Sequence, residues 1–522
     1  MGLGVLNDTK LLHVPGTATL DDFYRTPADG TTRDRNIKRS SDGGVILVPQ
    51  PSDDPNNPLN WPLWRRDLVT CILCLLSVLA SILSPLLAAD TLTLTLYFER
   101  SFTDIALLTG YHLLGVGLAG FIFVASAWVW GKRHLYLLGT VIIIISSAWG
   151  GASGHNYNSL LAARFFQGVG LAPFEALVNA SVGDLYFVHE RGSRMALSNL
   201  SLFGGAFFMP VIVGKLTTMF PLLVLFVPET TFEREQQLNT DTAATYNSEY
   251  DSAGHEMHGS GTSSPSKQPP RDSVEPLHTP HNPQARHKSL SWASISPFNG
   301  RHTHDSFSKL LLRPFPLFLH PGILWACLIQ GTLIGWTVLI GVVLAAIIAF
   351  IGALLGFVLA GLLSDSSAKW MTRRNGGIYE PEFRMVLVIP QLVFGCAGLY
   401  GFGITANNTW RYGWFWPEFF FALEVVGMIN GAVASALYIV DAHRDVAVEA
   451  FTCLLVFKNT FSFGLTFSGY NWLVKSGIRP VFVAIGSVQV AGCCLTVVMY
   501  VFGKKNRSFF ARHDILKMLK LR

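Results

Sequence analysis

Long apolar runs separated by short polar turns dominate the chain. Runs near Leu68–Ala89, Leu108–Trp130 and Leu135–Gly151, two within Leu160–Lys215, and four near Met385–Thr405, Trp414–Val440, Phe451–Val474 and Val481–Phe502 can each form a membrane-crossing helix. Such a helix needs roughly 20 apolar residues for a hydrocarbon core of about 30 Å. The pattern predicts an all-α polytopic membrane protein. Two places break it. The piece Phe220–Val227, followed by Pro228-Glu229-Thr230, is far too short to cross. The stretch Gly322–Leu363 is too long for one ordinary span and carries no polar turn to divide it in two. Twelve spans require the stub to be completed by its neighbours and the long run to break. Ten spans drop the stub, merge the seventh span with the eighth and place the central linker outside.

The polar segments divide the chain into a tail (1–66), an N-terminal bundle (67–232), a central loop (233–316), a C-terminal bundle (317–503) and a basic tail (504–522). The first tail is Asp- and Pro-rich, and the loop is rich in Ser, Pro, Thr, His and charges. Both are expected to be disordered. Lys and Arg gather in one set of turns, at Arg65/Arg66, Lys132/Arg133, Arg191/Arg194, Lys369–Arg374, Arg444 and Lys504–Arg512, while Ala152–Asn158 has none. The positive-inside rule puts both termini in the cytosol. The first span, far from residue 1, reads as an uncleaved signal anchor.

Composition agrees with this reading. Hydrophobic residues are 50% and charged residues 14% of the chain. A net charge of +5 spread over 522 residues does not indicate nucleic acid as a partner. The seven cysteines all lie in apolar runs, so Cys71-x-x-Cys74 is read as lipid- or core-facing rather than redox or metal-binding. His278-x-x-His281 sits in a Pro-rich coil without further ligands. No GxxxxGK[ST] loop is present, which argues against an ATP-driven pump. No series of His boxes supports an intramembrane enzyme. No cofactor and no metal site is expected.

Charges at membrane depth are costly and mark functional sites. Arg164, Gly168, Leu171, Glu175 and Asn179 recur at intervals of three and four, so they share a helix face. That stripe is expected to line a central path, with Glu175 binding a cation or exchanging a proton and Arg164 able to pair with a carboxylate. In each case the alternative is a structural polar bridge. Glu424, with Asn430 and Ser435 beyond it, lies well inside the tenth span, and Glu418 lies nearer its outer end. Lys458 and Asn459 add a polar patch on the eleventh, where Lys458 could neutralise Glu424 or Glu449. Asp90 closes the first span, either on the path or at the interface. Gly204, Gly205 and Pro210 permit close contact and bending.

Several of these residues carry a family resemblance. Leu161-Ala-Ala-Arg164-Phe-Phe-Gln167-Gly168-Val-Gly170-Leu-Ala-Pro173 resembles the fourth-helix signature of the major facilitator superfamily. Phe203-Gly204-Gly205 through Pro210 and Gly214 loosely resembles the fifth-helix Gly/Pro motif of its antiporter branches. Gly131-Lys132-Arg133 is similar to the end of the loop 2–3 motif, although Trp128 stands where the acidic residue is expected. Gly361-Leu-Leu-Ser-Asp365 resembles the second-half copy, with its acid present. Asp184–Gly192 and Gly376–Arg384 resemble fungal members related to the drug:proton antiporters. The resemblance implies the major facilitator fold, two six-helix bundles with twelve spans by design and ten or eleven as the alternatives. It also implies a monomer in the plasma membrane. Its activity would be proton-coupled secondary transport of a small organic solute, a cation such as a drug or a polyamine, by alternating access. It gives Arg164 a role in coupling. The apparent shortening at the sixth to eighth spans leaves a second reading, a non-transporting relic or sensor.

Overall fold

A computed structural model of the chain describes residues 57–87, 91–207, 305–343 and 347–521, and within the first tail chiefly 3–8, 14–19 and 47–52. The helices that follow the predicted spans are α1 (Leu63–Ser81), α3 (Phe102–Trp130), α4 (Arg133–Gly151), α5 (Tyr157–Leu185) and α6 (Arg191–Phe207) in the first half. A short α2 (Thr91–Phe98) precedes α3. The second half contains α7 (Pro321–Val343), α8 (Ile347–Arg374), the helical segment α9 (Pro381–Ala406), α10 (Phe415–Ala442), α11 (Ala447–Ser476) and α12 (Ile478–Arg512). The stub at Phe220–Val227, the central loop up to 302, and Asp90 and Pro210 lie outside the described residues.

Local chemistry sets the helix ends. Ser101 and Asp104 form a reciprocal capping box at the start of α3. Asn156 caps α5 by accepting from the Ser159 amide. Gly131, at φ +82°, turns the chain out of α3 in the left-handed region that a side chain resists. Gly477, at φ +79°, does the same between α11 and α12.

Within the long apolar run the described residues form α7, up to Val343, and α8, from Ile347. α7 packs on α10, α11 and α12, whereas α8 packs on α6 and α10.

The two halves meet along α3 against α11 and α6 against α8. Small residues let them approach. A Cβ on Gly120 would collide with Leu455, and one on Gly110 would crowd Thr466 and Phe463. Buried Leu, Val, Ile, Ala and aromatic side chains from both halves form one continuous core.

One end of the molecule gathers the basic turns. There α8 ends in Arg373 and Arg374, and His320 just before α7 meets His443 after α10 edge to face, with 4.3 Å between ring centroids. Part of the first tail is packed at this end and is not disordered. Ala18–Thr19 (β1) pairs antiparallel with Ile378–Tyr379 (β2). Val5, Val14, Ala18 and Val48 are buried.

Candidate functional site

Glu175 on α5 and Lys458 on α11 meet across the two halves at 2.8 Å. Asn459 Nδ2 donates to the same carboxylate oxygen at 3.1 Å. The Lys458 ammonium also lies 5.2 Å from the centre of the Phe203 ring on α6, near enough for cation–π attraction. The side chains are only 9% (Glu175) and 6% (Lys458) exposed. Three of the residues picked out by the sequence thus converge on one point. The expected partners of Lys458 are corrected: it faces Glu175, not Glu424 or Glu449. Arg313 lies 3.7 Å from Glu449 instead. Spacing along one helix cannot tell which carboxylate of another bundle it will face.

Glu424 lies in the second half alone. It is fully buried on α10, and Thr337 of α7 donates to its Oε1 at 2.6 Å. Its Oε2 makes no hydrogen bond. Asn430, two turns further along, donates to the Val426 carbonyl at 2.8 Å, and Ser435 donates to Gln330 at 3.0 Å.

The α5 stripe shares a face, yet each member meets a different neighbour. Arg164 donates to the carbonyls of Leu83 and Ser84 beyond α1, each at 2.7 Å, and to Gln167 Oε1 at 2.6 Å. Among the described residues its partners are these oxygens rather than a carboxylate. Gln167 in turn donates to Ser147 of α4. Gly168 lies against the His112 backbone of α3, where a Cβ would overlap the carbonyl. Asn179 accepts from Ser198 of α6 at 2.6 Å. Gly205 lies against Val78 and Ser81 of α1, and Gly204 near Ala353 of α8.

At the basic end, Lys132 reaches Asp184 in the last turn of α5 at 2.5 Å. The carboxylate missing at Trp128 is thus supplied by another helix. Neighbouring Arg133 is itself buried. Asp365 accepts from the Ser193 amide at 3.3 Å and lies 3.5 Å from Arg384, while Gly361 faces open space.

The sequence reading missed the centre of this end. Arg191 of α6 reaches Asp441 at the end of α10 at 2.6 Å, both nearly fully buried. Asp441 also accepts from Tyr379 at 2.5 Å and from Arg384 at 3.2 Å. Arg384 crosses back to the Val188 carbonyl of the first half at 2.9 Å. Burial holds the Tyr379 hydroxyl well above the ordinary phenol range. The one available signal was an aspartate closing an otherwise apolar run.

Residues 68–231 match the family model of the Major Facilitator Superfamily. The protein HOL1 of Saccharomyces cerevisiae is 24% identical, with 96% of each chain covered. The chain is thus similar to proteins of the major facilitator superfamily, by that model over its first half and by relatives over nearly its whole length. A second fungal relative, the MFS-type transporter penM of Penicillium rubens, is 22% identical over 87% of this chain and 88% of that one. The alignment with HOL1 runs over 578 residues, more than the 522 present here, so the relative carries residues where this chain has none. Among solved structures, the proton:xylose symporter XylE shares the fold, with a TM-score of 0.51, 12% identity, and coverage of 85% of this chain and 96% of that one. With eight helices among the described residues long and apolar enough to cross a membrane, the protein is a multi-pass membrane protein similar to these transporters.

Proposed function

We propose that this protein is a facilitator that moves a small organic cation by proton-coupled alternating access. The observation that carries the reading is the pair of carboxylates in unlike settings. Glu175 is bridged to the other half by an ammonium, and Glu424 has no cation beside it among the described residues. A substrate ammonium can replace Lys458 on Glu175 and Asn459, using the same charge and donor geometry. The released Lys458 then no longer ties α5 to α11, and the halves are free to rock. Glu424 carries the proton. A lone carboxylate at membrane depth is costly while charged, so its proton occupancy biases the conformations available to the second half. Arg164, Gln167, Asn179, Asn430 and Asn459 hold the helices that position these groups. Gly131, Lys132, Arg133, Gly204, Gly205, Gly361 and Asp365 shape the gates.

The chain direction supports twelve crossings. α6 leaves the basic end at Arg191, and α7 starts from that same end beside His443. This supports a return crossing between them and a central loop (233–316) that lies with both tails in the cytosol. The bundles then run over 67–232 and 317–503, in a monomer at the plasma membrane.

The test is uptake into proteoliposomes of tetraphenylphosphonium and a series of organic ammonium ions, with and without a pH gradient. Gradient-driven flux is expected. Glu424→Gln should leave cation exchange but remove its dependence on the gradient, and Glu175→Gln should abolish both. Flux indifferent to the gradient, or unchanged in Glu424→Gln, would overturn the coupling. The second reading, a relic or sensor, rests on the shortfall against HOL1. It predicts a folded protein that moves none of these ions.

A further inference from the structure

The first tail crosses the basic end as a strap. The backbone and polar contacts of residues 3–8 and 14–19 are made to the second half. Tyr500 donates to the Leu3 carbonyl at 2.9 Å, and the Leu6 amide donates to Val501 at 3.1 Å. Ser508 donates to Asp8 at 2.5 Å, and Arg507 donates to the Pro15 carbonyl. The Ser508 hydroxyl holds the Asp8 carboxyl below its ordinary range. Thr17 donates to Glu380 Oε2 at 2.8 Å from a buried position, and β1 then pairs with β2.

Further along, the same tail joins the first half. The Val188 amide, between α5 and α6, donates to the Val48 carbonyl at 3.0 Å. Val5, Ala18, Val48 and Val188 share one apolar cluster with Tyr379 and Phe383. The tail therefore clamps both halves at one end, away from the Glu175–Lys458 bridge.

The strap is also wired into the inter-half junction. β2, the strand it pairs with, contains Tyr379, whose hydroxyl holds Asp441. Asp441 is the partner of Arg191 across the halves. Gly16 presses on the Asp441 carbonyl so closely that an added Cβ would stand 2.9 Å from it. Its φ of +88° suits only glycine. Thr17 sits on Glu380, which with Glu382 holds Arg507 at 2.9 and 2.7 Å. Removing the strap takes the edge partner from β2 and a donor from Glu380, and it uncovers the buried ion pairs behind them.

We propose that the stretches 3–8 and 14–19 are an intramolecular lock that holds the cytosolic face closed, and that this face opens only when the strap leaves β2 and α12. The contact is breakable: a two-residue ladder and a handful of polar bonds add little net stability each, about 0.5–1.5 kcal/mol per hydrogen bond, so a single added charge should release it.

The experiment needs no substrate, so it is separable from the transport reading. Ser364 is fully buried beneath Gly192 at the junction. The full-length Ser364→Cys protein is placed in vesicles with its cytosolic face outward, and its labelling by a membrane-impermeant maleimide is timed. Thr17→Glu sets a carboxylate against Glu380 and should speed labelling at least tenfold, while Thr17→Ser keeps the donor and should not. In a second arm, Asp8→Cys with Ser508→Cys ties the strap to α12. Oxidation should slow labelling below the parent rate, and reductant should restore it. Equal labelling rates in Thr17→Glu and parent, or no effect of oxidation once the cross-link is verified by mass spectrometry, would overturn the lock.

Discussion

Lys458→Met tests whether the bridge between the halves holds them as the geometry implies. The substitution keeps most of the side-chain volume and removes the ammonium 2.8 Å from Glu175. Deleting one partner of a buried ion pair strands the other charge and costs roughly 3–5 kcal/mol. Asn459 still donates to Glu175 at 3.1 Å, so the low end, about 3 kcal/mol, is expected. Glu175→Gln strands the ammonium over the Phe203 ring and should cost about 2–3 kcal/mol. The double variant strands nothing and should lie within about 1 kcal/mol of the parent, giving a coupling energy near 4 kcal/mol. Reversible unfolding in mixed detergent–SDS micelles measures all four proteins. Additive single effects, with the double variant as unstable as their sum, would refute the pairing and with it the assignment of Glu175 to the interface between halves.

Two further outcomes follow from the packing and from the histidines. Gly168→Ala should destabilise by about 1–3 kcal/mol or more, because its Cβ meets the rigid His112 backbone. Gly361→Ala, with nothing within 4 Å, should stabilise slightly; thermal midpoints in detergent check both. Burial holds His320 down to about 4, and burial, then His320 and Arg507, hold His443 well below its usual value. Both fold in the neutral form, so above about pH 6.5 they cost nothing. As pH falls below that value the unfolded chain takes up protons that the fold refuses. Stability should drop by about 1.4 kcal/mol per pH unit for His320, levelling near pH 4. Midpoints at pH 7, 6 and 5 should fall less steeply in His320→Gln.

Much of this protein is a property of its sequence. An apolar run must pair its backbone internally once it lies in lipid, so composition and run length alone dictate helices along most of the chain. The periodicity of α5 placed Arg164, Glu175 and Asn179 on one face, and Gly168 and Gly205 marked the close approaches that the packing then uses. Tertiary structure decided everything that needs a partner from another element. The apolar run Gly322–Leu363 does not say what each part of it packs against, yet α7 lies on α10, α11 and α12 while α8 lies on α6 and α10. The pairing of Lys458 with Glu175, the carboxylate that Asp184 lends to Lys132, and the Arg191–Asp441–Arg384 junction all join residues from different helices. Local spacing carries no information about such contacts. The tail offers the sharpest contrast. Its polar, Pro-rich composition reads as disorder because it cannot bury enough apolar surface of its own. Residues 3–8 and 14–19 pack because the second half supplies the missing surface, with a strand edge at β2 to pair with and a buried carboxylate, Glu380, that accepts from Thr17.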